Sequence, residues 1–208
     1  MATAATTATA TTATTAAVAA AILKAADFAA QKHRDQRRKD PQGTPYINHP
    51  LGVAHILSGE GGVDDVAVLQ AGLLHDTLED TETSVAELVD AFGPQVATFV
   101  SEVSDDRSLT QAERKSQAVL RAPRLSPGAK AVALADKIYN LRDLNRWTPQ
   151  GWTEERVHQY FEWSALVLRG LRGANAALER EIDKLLIQRG VAITTTTTST
   201  TATTTTPP

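Results

Sequence analysis

The spacing of apolar residues between positions 18 and 193 constrains the fold more than any other feature of this sequence. Apolar side chains recur there at steps of three and four residues, as in Ala21, Ile22, Ala25 and Phe28. This period fits the 3.6 residues of a helical turn, whereas no segment sustains the two-residue alternation of a strand. The sequence therefore predicts an all-α protein, a bundle of seven or more helices.

Capping signals indicate where several of these helices begin. Ser84 and Thr110 are each followed three residues later by Glu, which is the pattern of a capping box. Ser126 precedes a proline, which favours a helix start, and Asp64 can cap the apolar helix that follows it. The last helical region, 153–189, contains two glycines, and we expect the helix to bend at one of them.

The composition changes abruptly at both ends of this helical body. Residues 2–17 contain only Ala and Thr, and residues 194–208 are nearly all Thr. Such stretches cannot bury enough apolar surface to offset the entropy of ordering them, so we expect disordered tails at 1–17 and 194–208 around one domain at 18–193. The first basic residue is Lys24, which disfavours a targeting peptide. We therefore expect a cytoplasmic protein, with organelle import as a minor alternative.

The charge balance and the absence of cysteine exclude several classes of function. Lys and Arg number 21 and Asp and Glu 24, a net charge of −3, which argues against nucleic-acid binding through bulk charge. A chain without cysteine has no disulfide, no thiolate metal site and no Cys nucleophile. No apolar run approaches the roughly 20 residues of a membrane span. We expect neither a nucleic-acid nor a membrane partner, and histidines and carboxylates must carry any chemistry.

Four polar residues stand out because they occur in apolar surroundings. His49 opens a predicted helix, the pair His75 and Asp76 ends the most hydrophobic one, and Asp136 lies within another apolar stretch. An unpaired carboxylate near the core is costly, and Lys137 projects about 100° away around the helix. Together, two imidazoles and two carboxylates suit a borderline divalent ion such as Mn²⁺, Fe²⁺ or Zn²⁺. Taken singly, each could instead be an ordinary turn or core residue.

Two further carboxylates follow the His-Asp pair at a spacing of one helical turn. Glu79 comes four residues after His75, and Asp80 comes four residues after Asp76, so a continuous helix would place them on the same face. Carboxylates beside a metal-bound water are natural general acid and base groups. The alternative is a solvated, inert helix end, and spacing alone does not decide between the two.

Cationic and amide side chains provide candidate phosphate contacts. Asn140 follows Asp136 by four residues and points the same way if the helix continues. Arg142 and the basic residues Arg38 and Lys39 could bind phosphate oxygens through charge-assisted hydrogen bonds. The alternatives are that the basic stretch merely complements a helix dipole and that Arg142 pairs with Asp136.

Three longer strings resemble the hydrolase domain of RelA/SpoT proteins, which are HD-domain metal-dependent phosphohydrolases. They are RKDPQGTPYINHP at 38–50, LLHDTLEDT at 73–81 and LADKIYNLRD at 134–143. The resemblance extends over about residues 18–193, where the chain is similar to the stand-alone metazoan SpoT homologues. It implies the helical bundle of an HD domain.

The resemblance also implies a role for each matching position. The implied metal ligands, for an ion that is usually Mn²⁺, are His49, His75, Asp76 and Asp136. The implied catalytic carboxylates are Glu79 and Asp80. The implied nucleotide contacts are Arg38, Lys39, Asn140, Arg142 and Tyr160. No position departs from the motif, so an active enzyme is expected.

The implied reaction is hydrolysis of guanosine 3′,5′-bis(diphosphate), ppGpp, to GDP and pyrophosphate. We expect the chain to degrade this stringent-response alarmone without making it, because the predicted folded part ends near residue 193 and leaves no room for a synthetase domain. One alternative is an NADPH 2′-phosphatase that uses the same site. Others are a nucleotide-sensing module without turnover and a helical interaction scaffold. The oligomeric state is left open.

Overall fold

The computed structural model describes the backbone of residues 3–193 and the side chains of residues 14–193. These residues form ten α-helices and no β-strand, which confirms the all-α prediction, and none of these helices is long and apolar enough to span a membrane. The helices are α1 (Thr3–Lys32), α2 (Asn48–His55), α3 (Val66–Leu74), α4 (Thr77–Asp80), α5 (Val85–Phe92), α6 (Pro94–Val103), α7 (Gln111–Arg121), α8 (Pro127–Arg146), α9 (Glu154–Leu171) and α10 (Ala176–Gln188). A π-helical turn, Ile56–Glu60, extends α2, and a 3₁₀ turn, Ala122–Arg124, extends α7.

Helix α3 lies at the centre of the bundle. It is apolar around most of its circumference and packs against α1, α2, α6 and α8, as expected of a helix that is hydrophobic on all sides. Its buried polar residue, Gln70, donates from Nε2 to the carbonyl of Ala21 in α1, at 3.0 Å. The carboxyl end of α3 therefore delivers the His75-Asp76 pair into the interior.

The capping signals in the sequence correspond to real helix starts. At three predicted N-caps, the side-chain hydroxyl accepts a hydrogen bond from a backbone amide. These N-caps are Ser84, Thr110 and Ser126. Helix α3 differs from the prediction, because its N-cap is Asp65 and not Asp64. The Asp65 carboxylate accepts from the amide of Ala67 at 2.8 Å, the bond that stabilises an N-terminus.

The predicted bend within 153–189 is a complete break. Helix α9 ends at Leu171, and Gly173 adopts a φ of +87°, a left-handed conformation that favours glycine. Asn175 then caps α10 and also donates to the carbonyl of Gly61, at 2.8 Å. Because of this break, α10 folds back to pack against α8.

Helix α1 begins inside the Ala/Thr-rich stretch for which we predicted disorder. Alanine has the highest helix propensity of all residues, which is the physical reason that such a stretch can be helical. The side chains of residues 14–20 are nevertheless exposed, and the first buried apolar residue from position 14 onwards is Ala25. The domain boundary at residue 18 stays a prediction, and the second predicted tail, 194–208, lies outside the described residues.

Candidate metal centre and active site

Three separate parts of the chain bring the four candidate ligands together. His49 lies in the first turn of α2, His75 and Asp76 lie between α3 and α4, and Asp136 lies in the middle of α8. Both histidines are buried, and the two aspartate side chains are each 18% exposed. The four side chains thus meet at the floor of a cleft rather than on the surface.

A local break in the helix directs the His-Asp pair into this cleft. The Thr77 hydroxyl donates to the carbonyl of Leu74 at 2.7 Å, and His75 Nδ1 bonds to the carbonyl of Gly72 at 2.9 Å. These side chains satisfy carbonyls that the next helical turn would otherwise use, so α3 ends at Leu74. The spacing of these residues is compatible with a helix continuous from His75 to Asp80, whereas the structure has a new short helix, α4, there.

The four ligand atoms lie close to one another. The Nε2 atoms of His49 and His75 are 3.2 Å apart. His49 Nε2 lies 3.4 Å from Asp76 Oδ2 and 3.2 Å from Asp136 Oδ1. The corresponding distances from His75 Nε2 are 3.1 and 3.7 Å. Two donors bound at right angles to one ion, each about 2.1 Å from it, lie about 3.0 Å apart, so these separations fit a shared ion.

The electrostatics of the cluster favour a cation. Burial works to raise the pKa of Asp76 and Asp136, but neighbouring positive charge and hydrogen bonds from the histidines hold both pKa values well below the usual range. Burial works to lower the pKa of His75, but the two carboxylates raise it well above its ordinary value. Carboxylates kept ionised at this depth need a positive partner.

The donor set fits a divalent metal ion. Because a carbonyl oxygen can only accept, His75 Nδ1 must carry the proton of its bond to Gly72, which leaves Nε2 with a free lone pair when the ring is neutral. That lone pair, the second imidazole and two ionised carboxylates supply mixed nitrogen and oxygen ligands. The tight group formed by His49, His75 and Asp136, with Asp76 beside it, is therefore a candidate metal centre.

The predicted orientation of the Lys137 side chain is wrong. We expected its side chain to point away from Asp136, yet its ammonium lies 3.0 Å from Asp136 Oδ2 and 4.9 Å from the centre of the Trp163 ring. Burial opposes the charge, but the Asp136 carboxylate raises the pKa of Lys137 above its ordinary value. Lys137 therefore remains charged and leaves the other oxygen of Asp136 to face the histidines.

The two candidate catalytic carboxylates lie beside the metal centre and have different partners. Glu79 Oε2 accepts from the backbone amide of Asp105 at 3.1 Å. Asp80 pairs with Arg107 at 2.8 Å and lies 3.3 Å from the hydroxyl of Tyr46. Both carboxylates line the cleft that contains the four ligands. Both residues are partly buried, so a fully solvated helix end does not describe them, and their catalytic role stays a prediction.

Glu79 is the more perturbed of the two carboxylates. Burial raises its pKa to about 7, the amide of Asp105 works in the opposite direction, and the negative charges of Asp105, Asp76 and Asp80 raise the pKa further. Burial and the charge of Asp76 also raise the pKa of Asp80, although Arg107 opposes this. A carboxyl group with a pKa near neutrality can both accept and release a proton at physiological pH.

Four of the five predicted nucleotide contacts line the cleft that contains the metal centre or the cleft that adjoins it. Asn140 donates to Asp136 Oδ1 at 2.7 Å, and Arg38 forms a salt bridge with Asp143 at 2.8 Å. Arg38 and Asn140 line both the metal-containing cleft, of about 260 Å³, and an adjoining cleft of about 400 Å³. Lys39 and Tyr160 line the adjoining cleft.

Arg142 is the predicted contact that the structure does not bring to the site. Its guanidinium makes a two-pronged salt bridge with Glu60 of the π-helical turn and also approaches Glu181 of α10, at 3.5 Å. Arg142 lines neither cleft. Its partner lies 82 positions away along the chain, so no local sequence pattern indicated this pairing.

Comparison with known proteins connects this geometry to a family. The sequence profile of the HD domain matches residues 25–160. The human protein guanosine-3′,5′-bis(diphosphate) 3′-pyrophosphohydrolase MESH1 is 61% identical over 174 residues, which is 84% of this chain and 97% of that protein. The chain belongs to the HD-domain family.

Other HD-domain relatives place it in the RelA/SpoT branch. The MESH1 protein of Drosophila melanogaster is 49% identical over 172 residues, covering 83% of this chain and 96% of that protein. A solved structure of a metazoan orthologue of SpoT, which hydrolyses ppGpp, superimposes with a TM-score of 0.81 at 49% identity. The match covers 83% of this chain and 97% of that one.

The HD-domain centre also includes a residue that our sequence reasoning did not assign. The hydroxyl of Tyr46 donates to Asp76 Oδ2 at 2.8 Å and reaches Asp80, so it connects a candidate ligand with a candidate catalytic group. Tyr46 lies within the 38–50 string, three residues before His49. This spacing could have indicated a role for Tyr46, because an aromatic hydroxyl about one turn from a candidate ligand can reach the same centre.

Proposed function

We propose that this chain hydrolyses ppGpp, removing pyrophosphate from the 3′ oxygen and leaving GDP. The observation that carries the proposal is the convergence of His49, His75, Asp76 and Asp136 on one cleft floor, with two further carboxylates beside them. The human and Drosophila relatives are named for this reaction, and this chain covers nearly all of their length. These similarities support the same reaction here.

We further propose that the resident ion is Mn²⁺, held by the two histidines and two aspartates. A mixture of two imidazole nitrogens and two carboxylate oxygens suits a borderline divalent ion. When bound, such an ion polarises a phosphate and lowers the pKa of a water molecule towards neutrality. Lys137 and Asn140, which hold Asp136, keep this ligand oriented.

Glu79 is the group that we assign to proton transfer. Its pKa near 7 allows it to accept a proton from the attacking water and to release one later. The Asp105 amide holds one oxygen of the carboxylate, so the other oxygen remains available. Asp80, tied to Arg107 and Tyr46, is the second catalytic carboxylate and orients the nucleophile.

The phosphates and ribose are assigned to Arg38, Lys39 and Asn140. The Nε–H group of Arg38 is buried and has no acceptor among the described residues, although the same guanidinium binds Asp143. A buried donor without an acceptor costs free energy, and a phosphate oxygen would satisfy it. Tyr160, with Trp147 and Trp152 in the adjoining cleft, offers aromatic surface for the base. We do not include Arg142.

A substrate panel tests this function. Purified enzyme is assayed with ppGpp and with NADPH, in Mn²⁺ and in chelator, and pyrophosphate, GDP and phosphate are quantified. We expect Mn²⁺-dependent release of equimolar GDP and pyrophosphate, with the higher kcat/KM for ppGpp. A higher kcat/KM for NADPH would favour the 2′-phosphatase. Tight ppGpp binding without products would favour a sensing module.

The carboxylates are tested by substitution with amides. The double variant Glu79→Gln/Asp80→Asn should retain its metal but lose activity by the roughly 10²- to 10⁴-fold typical of general acid and base groups. The control is Glu82→Gln, which neutralises an exposed carboxylate on the same segment and should behave like wild type. Wild-type rates in the double variant would exclude the assigned roles.

A further inference from the structure

The orientation of Glu79 depends on the segment that follows helix α6. In the described part of the chain, the backbone amide of Asp105 is the hydrogen-bond donor that reaches the Glu79 carboxylate, at 3.1 Å. Helix α6 ends at Val103, so this amide belongs to an irregular stretch without a helical hydrogen-bond ladder of its own. Ser104 is tied back to α6, because its amide and its hydroxyl donate to the carbonyl of Val100 at 3.1 and 2.8 Å. Among the described residues, Asp105 makes no such hydrogen bond to α6, so its orientation depends on a partner elsewhere.

Arg121, at the carboxyl end of α7, holds this stretch at three consecutive residues. Its Nη1 donates to the carbonyl of Ser104 at 2.8 Å, and its Nη2 lies 3.4 Å from the carbonyl of Val103. The same Nη2 forms a salt bridge with Asp105 Oδ1 at 2.7 Å. A planar guanidinium with donors in a fixed fork is suited to such a multiple contact.

We propose that Arg121 is a positioning residue for Glu79. By fixing residues 103–105, it aims the Asp105 amide at the carboxylate and so holds Glu79 towards the metal centre. This inference rests on the proposed function, which assigns proton transfer to Glu79. It adds a residue from α7, an element that contributes no metal ligand and no catalytic group to the site.

The charge of Arg121 supports the same role. The carboxylates of Asp105, Asp76 and Asp80 all act on Glu79, and their negative charges repel an ionised Glu79. The guanidinium of Arg121 forms a salt bridge with the Asp105 carboxylate, which is neither a candidate metal ligand nor a candidate catalytic group. Without Arg121, the Asp105 carboxylate would lose its salt-bridge partner.

A competing role for Arg121 is direct contact with the substrate, because its side chain lines the same cleft. The two roles differ in the kinetic parameter that they change. A residue that acts through Glu79 lowers kcat, whereas a residue that binds substrate phosphates raises KM. A purely structural residue lowers activity to the same degree whether or not Glu79 is present.

The test compares Arg121→Met with Arg114→Met, each alone and in a Glu79→Gln background. Arg114 lies on the same helix and donates to a loop carbonyl, that of Leu109, at 2.8 Å, but in the described part of the chain it makes no hydrogen bond to residues 103–105. We expect R121M to lower kcat roughly 10- to 100-fold with little change in KM, the effect of a misplaced catalytic group, and R114M to leave kcat unchanged. In the E79Q background, R121M should cause no further loss.

Two kinetic outcomes would overturn the proposal. A raised KM at unchanged kcat would make Arg121 a substrate contact, and an equal loss in both backgrounds would make its role structural. Amide hydrogen exchange of Asp105 in the metal-free protein provides a readout without turnover. We expect faster exchange in R121M than in wild type or R114M. Unchanged exchange would refute the proposal that Arg121 holds residues 103–105 in place. Failure of wild type to hydrolyse ppGpp would refute the proposed function instead.

Discussion

At the scale of single residues, the site depends on charges that are buried together. Asp136 is held from one side by Lys137 and from the other by the two histidines, and all of these groups are largely removed from solvent. Each charge is tolerated only because its partner is present. Removing one member therefore has a cost in stability that is separate from the loss of a metal ligand.

Asp136→Ala should lose both the metal and stability. The ammonium of Lys137 would remain buried without its partner, and breaking a buried ion pair in this way typically costs about 3–5 kcal/mol. The double variant Asp136→Ala/Lys137→Met should recover most of that stability but still bind no metal. Urea denaturation of metal-free protein and metal analysis measure the two effects. A double variant as unstable as the single one would contradict the pairing.

Glu79→Gln should stabilise the metal-free protein in a pH-dependent way. Because burial raises the folded-state pKa of Glu79 from 4.5 to about 7, the native state binds more protons in this window and loses stability as the pH rises through it. The amide cannot ionise, so its advantage over wild type should grow from pH 4.5 to 7 and then level off. Urea denaturation in the presence of chelator measures the difference in the free energy of unfolding between variant and wild type. A difference that does not change with pH would argue against a raised pKa of Glu79.

The sequence predicted which side chains meet at the candidate metal centre better than it predicted their supporting contacts. His49, His75, Asp76 and Asp136 were named from residue type and order together with the family resemblance, and the structure brings them together. Lys137 was misjudged because an angle around a helix takes no account of a long side chain that folds back. The pairing of Arg142 was missed because it depends on a distant acidic residue.

At the scale of helices, the site requires α2 and α8 to approach closely. A Cβ atom added at Gly52 of α2 would lie 2.1 Å from Cε2 of Tyr139 on α8. The Tyr139 ring in turn packs edge-on against His49, with centroids 4.7 Å apart. Gly52 therefore allows the contact that places His49, a candidate metal ligand, opposite α8.

Gly52→Ala should accordingly disturb both packing and metal binding. Overpacking of this kind costs about 1–3 kcal/mol, and the displaced Tyr139 would push His49 from its position. The control is Gly59→Ala, where the nearest atom to an added Cβ, on His55, is 3.4 Å away. Thermal unfolding and Mn²⁺ titration should show a lower Tm and weaker Mn²⁺ binding for Gly52→Ala than for Gly59→Ala. Equal Tm and equal Mn²⁺ affinity in the two variants would contradict the account.

Helix starts could be predicted, whereas the breaks around the site could not. Ser84, Thr110 and Ser126 act locally, so their capping role follows from the sequence alone. The end of α3 depends on side chains of His75 and Thr77 that take backbone carbonyls, and these residues are also compatible with a continuous helix. Only the packed structure decides between the two.

At the scale of the whole molecule, the buried core begins well inside α1. Residues 14–20 expose their side chains, and the buried face of the helix starts at Ala25. The HD-domain match likewise begins at residue 25. Residues 14–20 therefore contribute little to the interior of the bundle.

A chain restricted to residues 18–193 should retain the stability and activity of the full chain. Because the exposed part of α1 adds no buried apolar side chain from residue 14 to 20, its removal should shift Tm by no more than about 2 °C. Differential scanning calorimetry and the ppGpp assay measure this. A large fall in Tm would show that the Ala/Thr-rich segment belongs to the folded domain.

The central claim is that four side chains from three parts of the fold share one ion. Anomalous diffraction at the manganese edge, from crystals grown with Mn²⁺, tests it most directly. We predict one strong peak per chain, bounded by Nε2 of His49 and His75 and by oxygens of Asp76 and Asp136. A peak elsewhere, or a centre that lacks any one of these ligands, would contradict the account.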